Sequence, residues 1–332
     1  METKQFSTAE IEIGVVGLGL MGSSIVVALL IAGHPVKAIA PIPSDMEHAS
    51  DYIRDQLIDC DQSGLLKGSV DDHMSMLTIS EAYTHLRKCS IVMECVVEII
   101  EIKEQVYRKI LAVVGKSAIV ASNTSAIPIS ELQKGIDNPG RFLGIHWAEP
   151  AFVTRFLEIT CGTETSLHYA EWVLALAHQW GKEPTLLRRD IRGFITNRLM
   201  YAAYRELFHL VEMGFTTIED ADKAFRYDAG SWITLMGIFR RMDFTGLEDS
   251  TEILKAILPT LSNIETVPPL MQKMIDINAR GTQNLVGLYD YTSKEAKQWE
   301  EAFAHFNKDI YELASFYPLR KMGSKEQGVS VL

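Results

Sequence analysis

Four polar side chains stand one each in apolar surroundings: Ser125 in ASNTSAIPISEL, His146 in RFLGIHWAEP, Glu158 in RFLEITCG and Asn197 in RGFITNRLM. A histidine beside a carboxylate suits general-base chemistry near neutral pH. Each residue also has a plainer use, as a satisfied core histidine, a strand acid, a turn hydroxyl or a helix cap. A second constellation lies near the N-terminus. IGVVGLGLMGSSIV sets Gly17, Gly19 and Gly22 in a Gly-x-Gly-x-x-Gly pattern between a strand-like run and an apolar helical one. Gly17 permits the tight turn, Gly19 lets backbone approach a pyrophosphate, and Gly22 lets helix and strand pack closely. Loop and helix N–H groups, those of Leu20 and Met21 among them, then favour phosphate. Dinucleotide binding is the expectation. About 20 residues on, an acid should meet the adenine ribose, yet VKAIAPIP puts Ala40 there. No Arg follows closely to meet a 2′-phosphate, and Asp45 is placed to reach back from the next helix. NAD is favoured and NADP stays open.

These groups need a scaffold. Strand-like runs occur at residues 11–17, 36–40, 90–96, 118–122, 142–147 and 156–161, with helical segments at 21–32, 102–114 and 167–180. Such alternation predicts parallel strands joined by helical crossovers. From 194 to 316 the chain reads as helices, including 194–212 and 217–225, the latter behind a Thr216-x-x-Glu219 capping box. The expected class is α/β: a Rossmann-type parallel-sheet domain at residues 1–190, then an all-α C-terminal domain at 191–332. Residues 294–315 form an amphipathic helix candidate. Its stripe of Trp299, Phe303, Phe306, Ile310 and Leu313 would pack on its own domain or on a subunit partner.

Composition removes several classes. Apolar residues make up 47% and the formal charge is −11, so a packed core is expected and a nucleic-acid partner is not. Cys60, Cys89, Cys95 and Cys161 are too few for a disulfide scaffold and form no Cys-x-x-Cys pair. The nine His are scattered without metal-ligand spacing, so no metal is expected. No secretory signal or membrane-spanning run is visible; the expected location is cytoplasmic, without a membrane partner.

The ordered set Asn-Thr-Ser (123–125), Gly-Ile-His (144–146), Leu-Glu-Ile (157–159) and Gly-Phe-x-x-Asn-Arg-Leu (193–199) resembles the L-3-hydroxyacyl-CoA dehydrogenase family, with its gulonate (lambda-crystallin) and carnitine dehydrogenase relatives. GLYDY at 287–291 resembles the family's closing segment. The resemblance implies an oxidoreductase of fatty-acid-type metabolism that acts on a secondary 3-hydroxyl, in 3-hydroxybutyryl-CoA or in a free acid such as gulonate or carnitine. It implies His146 as base, Glu158 orienting it, and Ser125 and Asn197 bonding the substrate oxygen or ordering the site. It also implies Glu98, Lys103 and Ser125 near the nicotinamide, and a homodimer. A dinucleotide-binding sensor or structural protein without turnover is the other class. Departures motivate it: Ala40, Glu149-Pro150 for the family's Asn-Pro, and Gln283-Asn284-Leu285 for its Lys-Thr-Gly. Glu149 would raise the pKa of His146 if the two approach closely. The stretch SDMEHASDYIRDQLIDCDQSGLLKGS, where long-chain acyl-CoA enzymes present cations to CoA, is acidic here, with only Arg54 and Lys67 as fixed cations.

Overall fold

The computed structural model describes residues 7–313. The chain divides into two compact units, the first reaching Asn197 and the second starting at Arg198. The first is built on eight strands: β1 (Ile13–Val16), β2 (Val36–Ile39), β3 (Leu77–Ser80), β4 (Ile91–Glu94), β5 (Ile119–Ser122), β6 (Phe142–Trp147), β7 (Phe156–Cys161) and β8 (Glu183–Leu187). Their order in the sheet is β3-β2-β1-β4-β5-β6-β7-β8. Every pairing is parallel except β6 with β7.

Alternating side chains explain why such short apolar runs become strands. Ile91 and Met93 enter one core while Val92 enters the other, and Ile119 and Ala121 oppose Val120 in the same way. Both sheet faces are therefore covered, as a parallel sheet requires. The helices of this unit are α1 (Leu20–Ile31), α2 (Pro43–Gln62), α3 (Val70–Ser75), α4 (Ile100–Leu111), α5 (Ile129–Leu132) and α6 (Leu167–Ala177). Helix α1 is buried from Gly22 to Leu30, which accounts for its nearly uniform apolar sequence.

Two strands are additions to the sequence reading. β3 is a half-buried edge strand, and β8 is the opposite edge with Pro184 inside it. An edge tolerates proline because one side of its ladder is unpaired.

The second unit is helical. It holds most of α7 (Thr196–Glu212), then α8 (Ile218–Ala224), α9 (Gly230–Met236), α10 (Ile238–Thr245), α11 (Leu247–Ile257), α12 (Pro269–Asp276) and α13 (Ser293–Leu313), with a π-helical turn at Phe225–Ala229. The cap of α8 corrects the expected box. Thr217, not Thr216, is the N-cap, and its hydroxyl accepts from Asp220 N rather than pairing with Glu219. The expected helix over 294–315 is α13; its last two residues lie outside the described residues. Trp299, Phe303, Phe306 and Leu313 are exposed and Ile310 is partly buried. Packing of the stripe on its own domain is thus not what the single chain shows.

Candidate active site

The glycine loop joins β1 to α1. Gly17 has φ 97°, in the left-handed region, and its N–H donates to Ile39 O at 2.9 Å. A Cβ at Gly22 would stand 1.8 Å from Gly17 O, so helix and turn approach too closely for any side chain. A Cβ at Gly19 would meet nothing within 4 Å. Gly19 is also the N-cap of α1 and brings no capping side chain to the first-turn N–H groups. Close packing behind and open space in front, facing a positive helix end, fit a pyrophosphate. Leu20 is exposed there and Met21 half-buried. Ala40 is buried at the end of β2, while the Asp45 carboxylate accepts from Leu18 N at 3.3 Å.

The antiparallel β6–β7 pairing sets His146 directly opposite Glu158. His146 Nδ1 lies 3.2 Å from Glu158 Oε2. Glu158 is fully buried, and its Oε1 accepts from Ile195 N at 2.8 Å. Both carboxylate oxygens are therefore engaged, which offsets much of the cost of burying the charge. A carboxylate can only accept, so in the neutral imidazole the facing Nδ1 carries the proton and Nε2 keeps its lone pair. Phe156 and Phe194 wall the imidazole, with ring centroids at 5.6 and 6.1 Å. Glu149 is exposed and makes no bond to His146. Glu158 is the carboxylate paired with that ring among the described residues, so the expected influence of Glu149 has no contact behind it.

Ser125 lies in the turn after β5, and three neighbours hold that turn. Asn197 Nδ2 donates to Ser125 O at 2.8 Å. Glu98 Oε1 accepts from Ser125 N at 3.2 Å and from the Thr124 hydroxyl. Asn123 Oδ1 accepts from Trp147 N at 3.0 Å, tying the turn to the end of β6. Asn197 thus orders the Ser125 turn through its backbone.

Lys103 is placed differently from a cofactor contact. It is fully buried, and its ammonium donates to Glu94 at 2.8 and 3.0 Å and pairs with Glu98 at 3.1 Å. It faces protein on these sides and reaches the site through Glu98. Glu94 also accepts from Val96 N, Tyr107 OH and Ser122 Oγ at 2.7–2.8 Å. Burial pulls the Lys103 pKa down, but Glu94 and Glu98 outweigh it and the net shift is upward. Burial and Glu94 push Tyr107 well above the usual phenol range. Glu94 and Tyr107 escaped the sequence reading, although a charge inside the apolar strand SIVMECVV signals a hidden partner.

The segment after β6 has its own clamp. Lys182, 2% exposed, donates to the carbonyls of Ala151 and Thr154 and lies 5.3 Å from the Trp147 ring centroid. Burial, with Arg155 adding to it, pulls Lys182 down to about 7. Among the described residues, no cluster of three or more His, Cys, Asp or Glu could hold a metal ion, and no helix is long and apolar enough to cross a membrane.

The family model of the 3-hydroxyacyl-CoA dehydrogenase NAD binding domain matches residues 12–191, and that of the family's C-terminal domain matches residues 193–291. A 5-formyl-3-hydroxy-2-methylpyridine 4-carboxylate 5-dehydrogenase of Mesorhizobium japonicum is 30% identical over 287 residues, 86% of this chain and 92% of its own. A probable 3-hydroxybutyryl-CoA dehydrogenase of Bacillus subtilis is 27% identical, covering 89% and 99%. A crystal structure described as the former kind of enzyme, an NAD+ dependent dismutase, superposes with TM-score 0.84 at 27% identity, covering 92% of this chain and 99% of that one.

Proposed function

The chain belongs to the 3-hydroxyacyl-CoA dehydrogenase family, and from that premise we propose that it oxidises the secondary hydroxyl of a small 3-hydroxy acid with His146 as general base. Gly17, Gly19, Leu20, Met21 and Gly22 would hold the dinucleotide, and Glu98 and Ser125 would line its nicotinamide end. Bound NAD supplies the hydride acceptor for C3 of the substrate. His146 Nε2 takes the hydroxyl proton as the C–H bond breaks. Glu158 keeps Nδ1 protonated and then stabilises the imidazolium. Ser125 lies in a turn fixed by Glu98 and Asn197, where its hydroxyl can bond the substrate oxygen. A base so placed is typically worth about 10² to 10⁴ in rate. The single observation that carries this reading is the His146–Glu158 pair, with the second carboxylate oxygen locked by Ile195 N.

The charge of α2 and α3 favours a free acid over a CoA thioester. Arg54 pairs with Asp71 at 2.8 Å, so one of the two cations in that stretch is already neutralised. CoA phosphates need unpaired donors. Acyl-CoA oxidation is the second reading, favoured by family membership itself. The helical unit exposes large apolar side chains that a second copy of the chain would cover, so we infer a homodimer.

The test is NADH formation with 3-hydroxybutyryl-CoA, gulonate and carnitine, beside calorimetric NAD+ titration. Turnover of a free acid above the thioester is expected. His146→Ala should abolish turnover and leave NAD+ binding nearly intact; unchanged turnover overturns the assignment. Tight NAD+ binding with no turnover of any panel member would favour a sensor or structural protein.

A further inference from the structure

We propose that Asp45 replaces the missing ribose-binding acid of β2 and makes the site select NAD against its 2′-phosphorylated form, an inference that rests on dinucleotide binding at the glycine loop. In this fold class the acid at the end of the second strand receives the adenine ribose. β2 lies beside β1 with Val16 opposite Ile39, and Gly17 N bonds Ile39 O at 2.9 Å. Residue 40 therefore sits against the glycine turn. Ala40 is 2% exposed, and its methyl group offers no polar atom.

The chain supplies a carboxylate to the same place by another route. After Pro41 and Ile42 it enters α2, whose first turn contains Asp45. That carboxylate comes back across 27 residues of sequence, and Oδ2 accepts from Leu18 N at 3.3 Å. Leu18 lies between Gly17 and Gly19. Among the described residues nothing bonds Oδ1, which leaves an acceptor for ribose hydroxyls at the mouth of β2.

Charge settles which dinucleotide this favours. A ribose 2′-hydroxyl donates to a carboxylate, whereas a 2′-phosphate is repelled by it. Glu47 and Asp51 follow in the same helix, and no Lys or Arg occurs from 38 to 53. That segment itself brings no fixed cation to an added phosphate. Repulsion of this kind corresponds to about a hundredfold preference for NAD+.

The experiment is calorimetric titration of the full chain with NAD+ and with NADP+, in the wild type, Asp45→Asn and Asp45→Ala combined with Ala40→Asp. Asp45→Asn preserves an oxygen for Leu18 N and removes only the charge. The NAD+/NADP+ affinity ratio should fall about tenfold or more in Asp45→Asn, chiefly by a gain for NADP+. The double variant should restore the preference. An unchanged ratio in Asp45→Asn overturns the proposal and shows a plain loop staple. A wild type that binds neither dinucleotide overturns it too, and with it the dinucleotide reading.

Discussion

The two units use apolar side chains in opposite ways. In the first, strands β1, β2 and β4 to β7 and helix α1 bury their large residues on both sides of one sheet, and a fully buried Glu94–Lys103 pair sits inside that core. In the second, α7 and α9 to α12 have no buried residue, and Phe239 is 84% and Tyr227 72% exposed. Apolar surface is driven out of water at about 25 cal/mol per Å², and soluble monomers rarely carry wide apolar patches. The first unit is therefore self-sufficient and can hold buried charge in fixed geometry. The second leaves large apolar side chains open to solvent on the single chain.

That contrast can be broken at several points. The largest effect is expected from Lys103→Met, which leaves Glu94 buried without its cation. Removing one partner of a buried pair costs about 3–5 kcal/mol, so denaturant melting of the first unit should shift by that amount. A shift under about 1 kcal/mol would mean water reaches Glu94. Glu158→Gln should lower kcat about 10²- to 10³-fold, because an amide no longer stabilises the imidazolium. NAD+ binding should hardly change; equal loss of both would point to a collapsed site.

Lys182 gives a smaller effect with a definite pH sign. Its folded pKa, about 7, lies below the ordinary lysine value. Between the two the unfolded chain binds more protons, so stability contributed by this group rises with pH from about 7 towards 10.5 and is flat below 7. Lys182→Met should be less stable overall, through loss of the Ala151 and Thr154 bonds, and should flatten that rise. An identical pH slope in both proteins would show Lys182 to be solvated. The smallest effect is expected at the surface of the second unit. Phe303 is 61% exposed on the single chain. Phe303→Lys should weaken self-association by about tenfold in sedimentation velocity; a monomeric wild type would contradict pairing through these helices.

Legibility in the sequence followed the same division. β6 and β7 begin and end where the apolar runs do, because both are buried and bounded by polar turns. LTIS and EPTLL escaped notice as strands: the first is only half-buried and the second contains proline, both consequences of an edge position. His146 and Glu158 were legible as isolated polar residues in apolar strands, but their pairing depends on a register that only the antiparallel reversal creates. The return of Asp45 was legible from its place at the start of the next helix, but its partner Leu18 and the link of Lys103 to Glu94 depend on how the helices fold back, which local periodicity does not encode. In the second unit the helices were legible, while the exposure of their apolar faces was not, because periodicity marks an apolar face without saying what lies against it.

The central claim is that His146 Nε2 receives the proton of the substrate hydroxyl. A crystal structure of the chain with NAD+ and an unreactive analogue of the hydroxy acid tests it most directly. The analogue's C3 oxygen is expected within hydrogen-bond distance of Nε2, with Glu158 still on Nδ1. An oxygen bound elsewhere, with the imidazole turned into the protein, would contradict it.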